Sequence, residues 1–229
     1  MNQARIDTRA TLKDCEVRIV SLRDDVPAER SLLVAISGID GSGKGYTSAL
    51  LGEYLRARAL RVAVLNIDGW LNLPSVRFST TRPHEHFYRN AIRFDEMFLS
   101  LVLPLRERRS VRLEADFAEE TASSYRRQIY AYEDVDVILL EGIYLLKLEH
   151  RHHYDLSIWV ECSFETALER AIARSQEGLA PAETVRAYRT IYFPAQELHF
   201  AVDGPQDAAD LLVLNDAAWT DQRVVESRP

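Results

Sequence analysis

Residues 38–44 read Gly-Ile-Asp-Gly-Ser-Gly-Lys, directly after the apolar run Ser-Leu-Leu-Val-Ala-Ile-Ser at 31–37. The spacing G-x-x-x-x-G-K narrows the choice of fold more than any other feature of this chain. Gly38, Gly41 and Gly43 let the backbone turn tightly and aim its N–H groups at phosphate oxygens. A helix over about Lys44 to Leu60 would direct its positive dipole end to the same place, and Lys44 would add a compact positive charge. The chain holds 28 basic residues, of which only Lys13, Lys44 and Lys147 are lysines. Against that arginine-rich background a lysine at this point of the spacing is a specific feature. The expected triphosphate-binding surface is Gly38, Asp40, Gly41, Ser42, Gly43, Lys44, Gly45, Tyr46 and Thr47, for ATP or GTP. The residue after such a lysine normally offers a hydroxyl to Mg²⁺. Here it is Gly45, so a water or the Thr47 hydroxyl takes that place, or the metal is held differently.

A length of 229 residues suits one α/β domain with insertions. The net charge of −7 argues against general binding to nucleic acid or anionic membrane. Cys15 and Cys162 stand far apart and imply no disulfide framework. No signal-like start and no long apolar run is present, so a cytoplasmic protein without membrane association is expected.

Apolar runs recur at 61–68, 135–140, 155–160 and 211–214 and read as further buried strands. The second ends in Asp68 and the third in Glu141. Residues 11–22 form a helix or an edge strand, and 69–93 read as loop. Residues 94–105 carry a helical pattern, 111–117 a short strand, and 119–132 a partly helical segment. Ser163 is placed to cap a helix to about Gln176, and Pro181 to begin another to about Tyr192. The tail from Thr220 is expected to be mobile. Strands alternating with helices predict a doubly wound parallel sheet with helices on both faces, whose ligands sit at the carboxyl ends of the strands.

Phosphoryl transfer needs positioned phosphates, a metal, and a group to take the acceptor's proton. Asp68 is the expected base, followed by Gly69 and by Trp70 as an aromatic wall. The plainer alternative is a turn cap. Glu141 would join Asp68 in holding Mg²⁺ or would orient the acceptor. Arg170 and Arg174, four apart on one helix face, would neutralise charge on the transferred group, or else form a solvated face with Glu165, Glu169 and Glu177. Arg186 and Arg189 make a lesser case. His84, His86 and Tyr88, with Phe117, Tyr125 and Arg126, are candidates for the acceptor pocket. The histidine clusters at 84–86 and 150–153 lack the companions a zinc site shows.

This ordered set resembles the uridine kinase and phosphoribulokinase family: Gly38 to Lys44, the strand ending in Asp68, Phe94-Asp95 heading a helix, Asp116-Phe117, and Leu140 to Ile143. The Ser163-to-Arg174 helix and Tyr188 to Pro194 continue it, so the likeness spans about 31–216. It implies a P-loop NTPase-type fold: an N-terminal extension over 1–30, a P-loop kinase domain over 31–216 with a lid region at about 163–192, and a tail over 217–229. It also implies a magnesium-dependent kinase that moves the ATP γ-phosphate to a hydroxyl of a nucleoside such as uridine or cytidine, or of a sugar, sugar phosphate or pantothenate-like acceptor. Self-association is left open. Asp68 is implied as base, Lys44 on phosphates, Glu141 near metal or acceptor, and Arg170 and Arg174 in or near the lid. Beyond Gly45, the segment after Phe117 reads Ala-Glu-Glu-Thr-Ala-Ser-Ser, where uridine kinases carry a histidine and a basic residue. Ala187 stands where they tend to place a glutamine, and residues 176–181 replace the usual Arg-Gly-Arg. A non-catalytic nucleotide-binding protein is the reading from another class. The guanine-reading Asn-Lys-x-Asp and the ABC-type signature are both missing from the sequence.

Overall fold

The computed structural model describes residues 10–175 and 178–216. Five parallel strands form the central sheet: β1 (Leu32–Gly38), β2 (Val62–Asn66), β5 (Val137–Gly142), β6 (Leu156–Glu161) and β7 (Leu211–Leu214), in the order β2-β5-β1-β6-β7. Every residue of β1 and β5 is buried, which is why those strands read as unbroken apolar runs rather than alternating ones. Alternate residues of β1 feed two cores. Leu32, Val34 and Ile36 pack with Ile19, Leu51 and Leu55 on one face, while Leu33 and Ala35 join the larger cluster that includes Phe87, Met97, Phe98 and Trp159. The sheet is therefore covered on both faces by helices, as the alternation of elements predicts.

The first face is covered by α1 (Leu12–Asp25) and α2 (Lys44–Arg56). A capping box settles the open choice at 11–22 in favour of helix. The Thr11 hydroxyl accepts from the Asp14 N–H at 3.2 Å, and the Asp14 carboxylate accepts from the Thr11 N–H at 2.8 Å. The second face carries α3 (Pro74–Arg77), α4 (Pro83–Asn90), α5 (Phe94–Met97), α6 (Leu103–Arg108), α7 (Phe164–Arg174), α8 (Pro181–Ala187), α9 (Phe193–Asp203) and α10 (Pro205–Ala208). A two-stranded antiparallel hairpin, β3 (Val111–Phe117) with β4 (Arg126–Tyr132), stands apart from the main sheet.

Four sequence expectations need correction. Residues 69–93 are not simply loop: Pro74 and Pro83 begin α3 and α4, because a residue without an N–H costs nothing in a helix's first turn. Residues 126–132 are strand rather than helix; Gln128, Tyr130 and Tyr132 are half-buried and alternate with exposed neighbours, a period of two that the polar flanks obscured. The helix beginning at Pro181 does not stop near Tyr192 but continues through a π turn, Tyr188–Tyr192, into α9. A matching π turn, Phe98–Val102, joins α5 to α6. Each π turn is followed within two residues by a proline, Pro194 or Pro104, whose missing N–H interrupts the α-helical ladder. Finally, β2 ends at Asn66, so Asp68 lies beyond the strand, in the 3₁₀ turn Ile67–Gly69. The expected mobile tail lies outside the described residues.

Candidate active site

The site grows from the carboxyl edge of the sheet. After β1 the chain turns through Gly41 (φ +78°) and Gly43 (φ +89°) into α2. Gly41 is held against α7 so closely that a Cβ there would meet the Ala167 carbonyl oxygen at 2.5 Å. Gly41→Ala is therefore expected to destabilise the protein by more than about 1 kcal/mol, read as a lowered midpoint in thermal unfolding. An unchanged midpoint would mean that the loop is free to relax away from α7.

Arg170 holds this loop from outside. Its guanidinium donates to the carbonyls of Gly41 and Ser42, each at 3.3 Å, and to that of Asn215 at 3.0 Å. Asn215 in turn donates from its side-chain amide to the Ser42 carbonyl at 2.7 Å. Arg170 thus braces the backbone that would cradle phosphate, whereas the sequence placed it over the transferred group. Arg174 sits on the other side, 3.3 Å from Asp40, and the Tyr188 hydroxyl donates to the same carboxylate. Lys44 and Arg174 outweigh the cost of burial and hold the Asp40 carboxyl below its usual range. Asp40 thereby ties the loop to Arg174 of α7 and to Tyr188.

Lys44 is buried, with its ammonium 3.4 Å from the Ile39 carbonyl oxygen. Its charge acts on three carboxylates, Asp40, Asp68 and Glu141. Asp68 is brought there by its turn: Asn66 accepts the Asp68 N–H at 2.6 Å. Asn66 also pairs in register with Glu141, which itself lies opposite Ile36 of β1. Two carboxylates from neighbouring strand ends therefore face the phosphate loop. Burial raises the pKa of Asp68, with Lys44 pulling the other way. Glu141 is raised to about 7, by burial first and by repulsion from Asp68 and Asp40, against attraction by Lys44.

Among the described residues no group of three or more His, Cys, Asp or Glu side chains gathers as a metal cage. Mg²⁺ seldom needs one, since it is usually held by one or two carboxylates plus waters and substrate phosphates. Asp68 and Glu141 fit that donor set. A Cβ built on Gly45 would have the Glu141 Oε1, at 3.7 Å, as its sole neighbour. The place of the usual hydroxyl thus lies beside the Glu141 carboxylate with no close contact. Because the Glu141 pKa is raised above its ordinary 4.5, the folded protein binds that proton more tightly than the unfolded chain. Ion-free stability from this group falls as pH climbs from 4.5 towards about 7. A bound cation favours the ionised form, so stabilisation by Mg²⁺ and nucleotide is expected to be larger above about pH 7 than below it. Thermal unfolding with and without Mg²⁺ on both sides of that value checks this; equal shifts would remove Glu141 from the metal's surroundings.

Two cavities open beside Asp68. One, of about 490 Å³, lies between β2 and the hairpin and is walled by Trp70, Phe117, Tyr130 and Tyr132. Tyr130 stacks on Trp70 at 5.5 Å, and Arg126 covers Phe117 at 4.1 Å. The other, of about 220 Å³, is lined by Asp40, Lys44 and Asp68 together with Arg77, Phe78, Phe87, Tyr192 and Gln196. Tyr125 lies behind these walls, against Arg93 at 4.6 Å and donating to Asn72 at 3.3 Å.

His84, His86 and Tyr88 line neither cavity, which corrects the sequence expectation. They lie on α4, whose buried face presents Phe87 instead. A His86 ring nitrogen is 2.7 Å from the Val76 carbonyl. The Tyr88 hydroxyl donates to Asp203, a carboxylate that His199 also approaches at 2.7 Å. Tyr46 is 68 % exposed on α2, and Thr47 is buried. Arg77, Tyr192 and Gln196 were not foreseen. Arg77 belongs to a four-residue helix with no periodic signal, and Tyr192 and Gln196 reach the site only because the helix after Pro181 runs on past Tyr192.

A parallel sheet with a glycine loop and lysine at its carboxyl edge, and carboxylates at the adjoining strand ends, defines a P-loop phosphotransferase fold. The family model described as "Phosphoribulokinase / Uridine kinase family" matches residues 33–178, and the chain belongs to that family of kinases. The family implies use of ATP and, typically, Mg²⁺. Solved structures agree in fold. A possible uridine kinase from Bacillus stearothermophilus is 19% identical, with a TM-score of 0.66 over 87% of this chain and 98% of its own. A candidate fructose transport system kinase from a Silicibacter species is 22% identical, with a TM-score of 0.64 over 89% and 98%. The D-glycerate 3-kinase of Cryptococcus neoformans is 14% identical, with a TM-score of 0.60 over 82% and 88%. No curated protein sequence matches significantly. Among the described residues no helix is long and apolar enough to cross a membrane.

Proposed function

We propose that this chain transfers the γ-phosphate of ATP to a hydroxyl of a small acceptor held against Asp68. The observation that carries the reading is the convergence of Lys44 with Asp68 and Glu141 at one sheet edge. Loop amides and Lys44 bind the β- and γ-phosphates, and Arg170 keeps those amides in place. Asp68 accepts the proton of the attacking hydroxyl; its raised pKa makes it a stronger base than a free carboxylate. Glu141, with Asp68, would hold Mg²⁺ through water, and the ion would neutralise charge on the phosphates. Arg174, paired with Asp40 at 3.3 Å, would approach the transferred group from the side of α7.

Were the acceptor a nucleoside such as uridine or cytidine, as the resemblance implies, its base would stack in the larger cavity against Trp70, Phe117 and Tyr130. The competing reading, a regulatory nucleotide-binding protein, is favoured by Gly45 and by the lid lacking the usual arginines. An acceptor screen with labelled ATP over nucleosides, sugars and sugar phosphates separates the two. Acceptor-dependent ADP and a phosphorylated product support the kinase; ADP release that no acceptor increases supports the regulator.

A further inference from the structure

β7 is an outermost strand of the sheet, four residues long and paired with β6 on its inner side. The two residues that follow it, Asn215 and Asp216, are tied into the phosphate loop and α7. The Asn215 N–H continues the ladder, donating to the Glu161 carbonyl at 2.9 Å. Its side-chain amide donates to the Ser42 carbonyl at 2.7 Å, across 173 residues of sequence. That amide lies so close over Gly43 that a Cβ there would meet the Asn215 Nδ2 at 2.1 Å. The Asn215 carbonyl accepts from Arg170, which reaches back to the carbonyls of Gly41 and Ser42. Asp216, also buried, accepts from the Ser163 N–H at 2.9 Å and from the Thr166 hydroxyl at 3.0 Å. Those groups start α7, the helix that carries Arg170. Loop, last strand and α7 therefore close a ring of hydrogen bonds.

A planar trans peptide points its C=O and its N–H in opposite directions. Two donors on the Ser42 carbonyl, Asn215 and Arg170, thus set the direction of the Gly43 N–H, which faces away from both. Gly43 has no side chain and stands at φ +89°. Its backbone is the least restrained by its own chemistry, so the aim of that amide depends on what holds the carbonyl before it.

We propose that Asn215 is a positioning residue for the phosphate loop: by holding the Ser42 carbonyl it aims the Gly43 N–H at phosphate, and it makes the end of β7 respond to nucleotide binding. This rests on the phosphate-binding reading of residues 38–44 and adds to it a residue from the far end of the domain. Coupling between two sites is reciprocal, so what Asn215 contributes to the bound state the nucleotide returns to β7. A short edge strand opens more readily than the centre of a sheet, and its amides report that return by hydrogen exchange.

The test saturates the full chain with a fluorescent ATP analogue and displaces it with ATP or with inorganic tripolyphosphate, which carries neither base nor sugar. Asn215→Ala should raise the Kd of both competitors by the same factor, roughly 3- to 10-fold, the worth of one hydrogen bond. Asn215→Asp keeps the size of the side chain but sets an acceptor against the Ser42 carbonyl, and should lose more affinity than alanine does. A side chain that served packing alone would rank the two variants the other way and overturn the proposal. So would wild-type affinity in both. Weaker ATP binding with tripolyphosphate unaffected would place Asn215 on the base or ribose, which also defeats the positioning role. Hydrogen exchange on the wild-type chain needs no substitution: residues 211–216 should gain protection when a non-hydrolysable ATP analogue binds. Protection that stops at the loop and α2 would break the coupling. A wild-type chain that binds neither ATP nor tripolyphosphate would defeat the loop reading itself, and this proposal with it; binding that both variants leave intact defeats the proposal alone.

Discussion

Replacing Asp68 by Asn is expected to leave ATP bound and to slow phosphotransfer by roughly 10²–10⁴-fold, the usual worth of a general base. The substitution keeps the shape of the side chain. It also keeps the turn, because the bond from the Asp68 backbone N–H to Asn66 does not involve the carboxylate. What it removes is the proton acceptor and one negative charge. That charge is among the groups that push the Glu141 pKa up to about 7, so the same variant should lower the pH at which Mg²⁺ begins to stabilise the protein. The two readouts are separable. A slow enzyme with a shifted Mg²⁺ profile fits a base beside a metal carboxylate. Turnover at the wild-type rate would take the role of base away from Asp68.

Lys44→Ala is expected to reduce triphosphate affinity or turnover by roughly 10²–10³-fold, in line with the loss of one preorganised donor to developing charge. Its second effect follows from the three carboxylates it faces. Lys44 is the leading charge lowering the pKa values of Asp40, Asp68 and Glu141. Without it, all three should hold their protons to higher pH, and the Asp40 contacts to Arg174 and Tyr188 should loosen. Titration with a fluorescent ATP analogue measures the first effect, and the pH dependence of Mg²⁺ stabilisation measures the second. Normal affinity together with normal turnover would contradict the assignment of the loop to phosphate.

Legibility in the sequence followed the range of the interactions. The phosphate loop was readable because its glycines and lysine act through local backbone geometry. The same holds for Ser163, which caps α7 by accepting the Thr166 N–H at 3.2 Å. Asp68 was readable as an acidic residue at a strand's end, though not as a member of a 3₁₀ turn, since boundaries depend on how the turn packs. The cavities beside Asp68 were read only in part: Trp70 and Phe117 line one of them. His84, His86 and Tyr88 looked suitable by position, yet α4 turns Phe87 towards the cavity and hands Tyr88 to Asp203, 115 residues away in sequence. Arg170 was expected over the phosphates because its helix was known but its orientation was not; that orientation depends on the close packing of Ala167 against Gly41.

The sequence by itself determined that this chain forms a parallel sheet around a phosphate loop, and that Lys44, Asp68 and Glu141 lie at its carboxyl edge. Strand periodicity, glycine spacing and apolar runs are local, and they survive reading one residue after another. The tertiary structure alone decided which residues line the cavity beside Lys44 and Asp68, through the register that sets Asn66 beside Glu141 and the helix that carries Gln196 and Tyr192 towards Arg77. Those meetings join segments far apart in sequence, where side-chain packing rather than local propensity selects the partners.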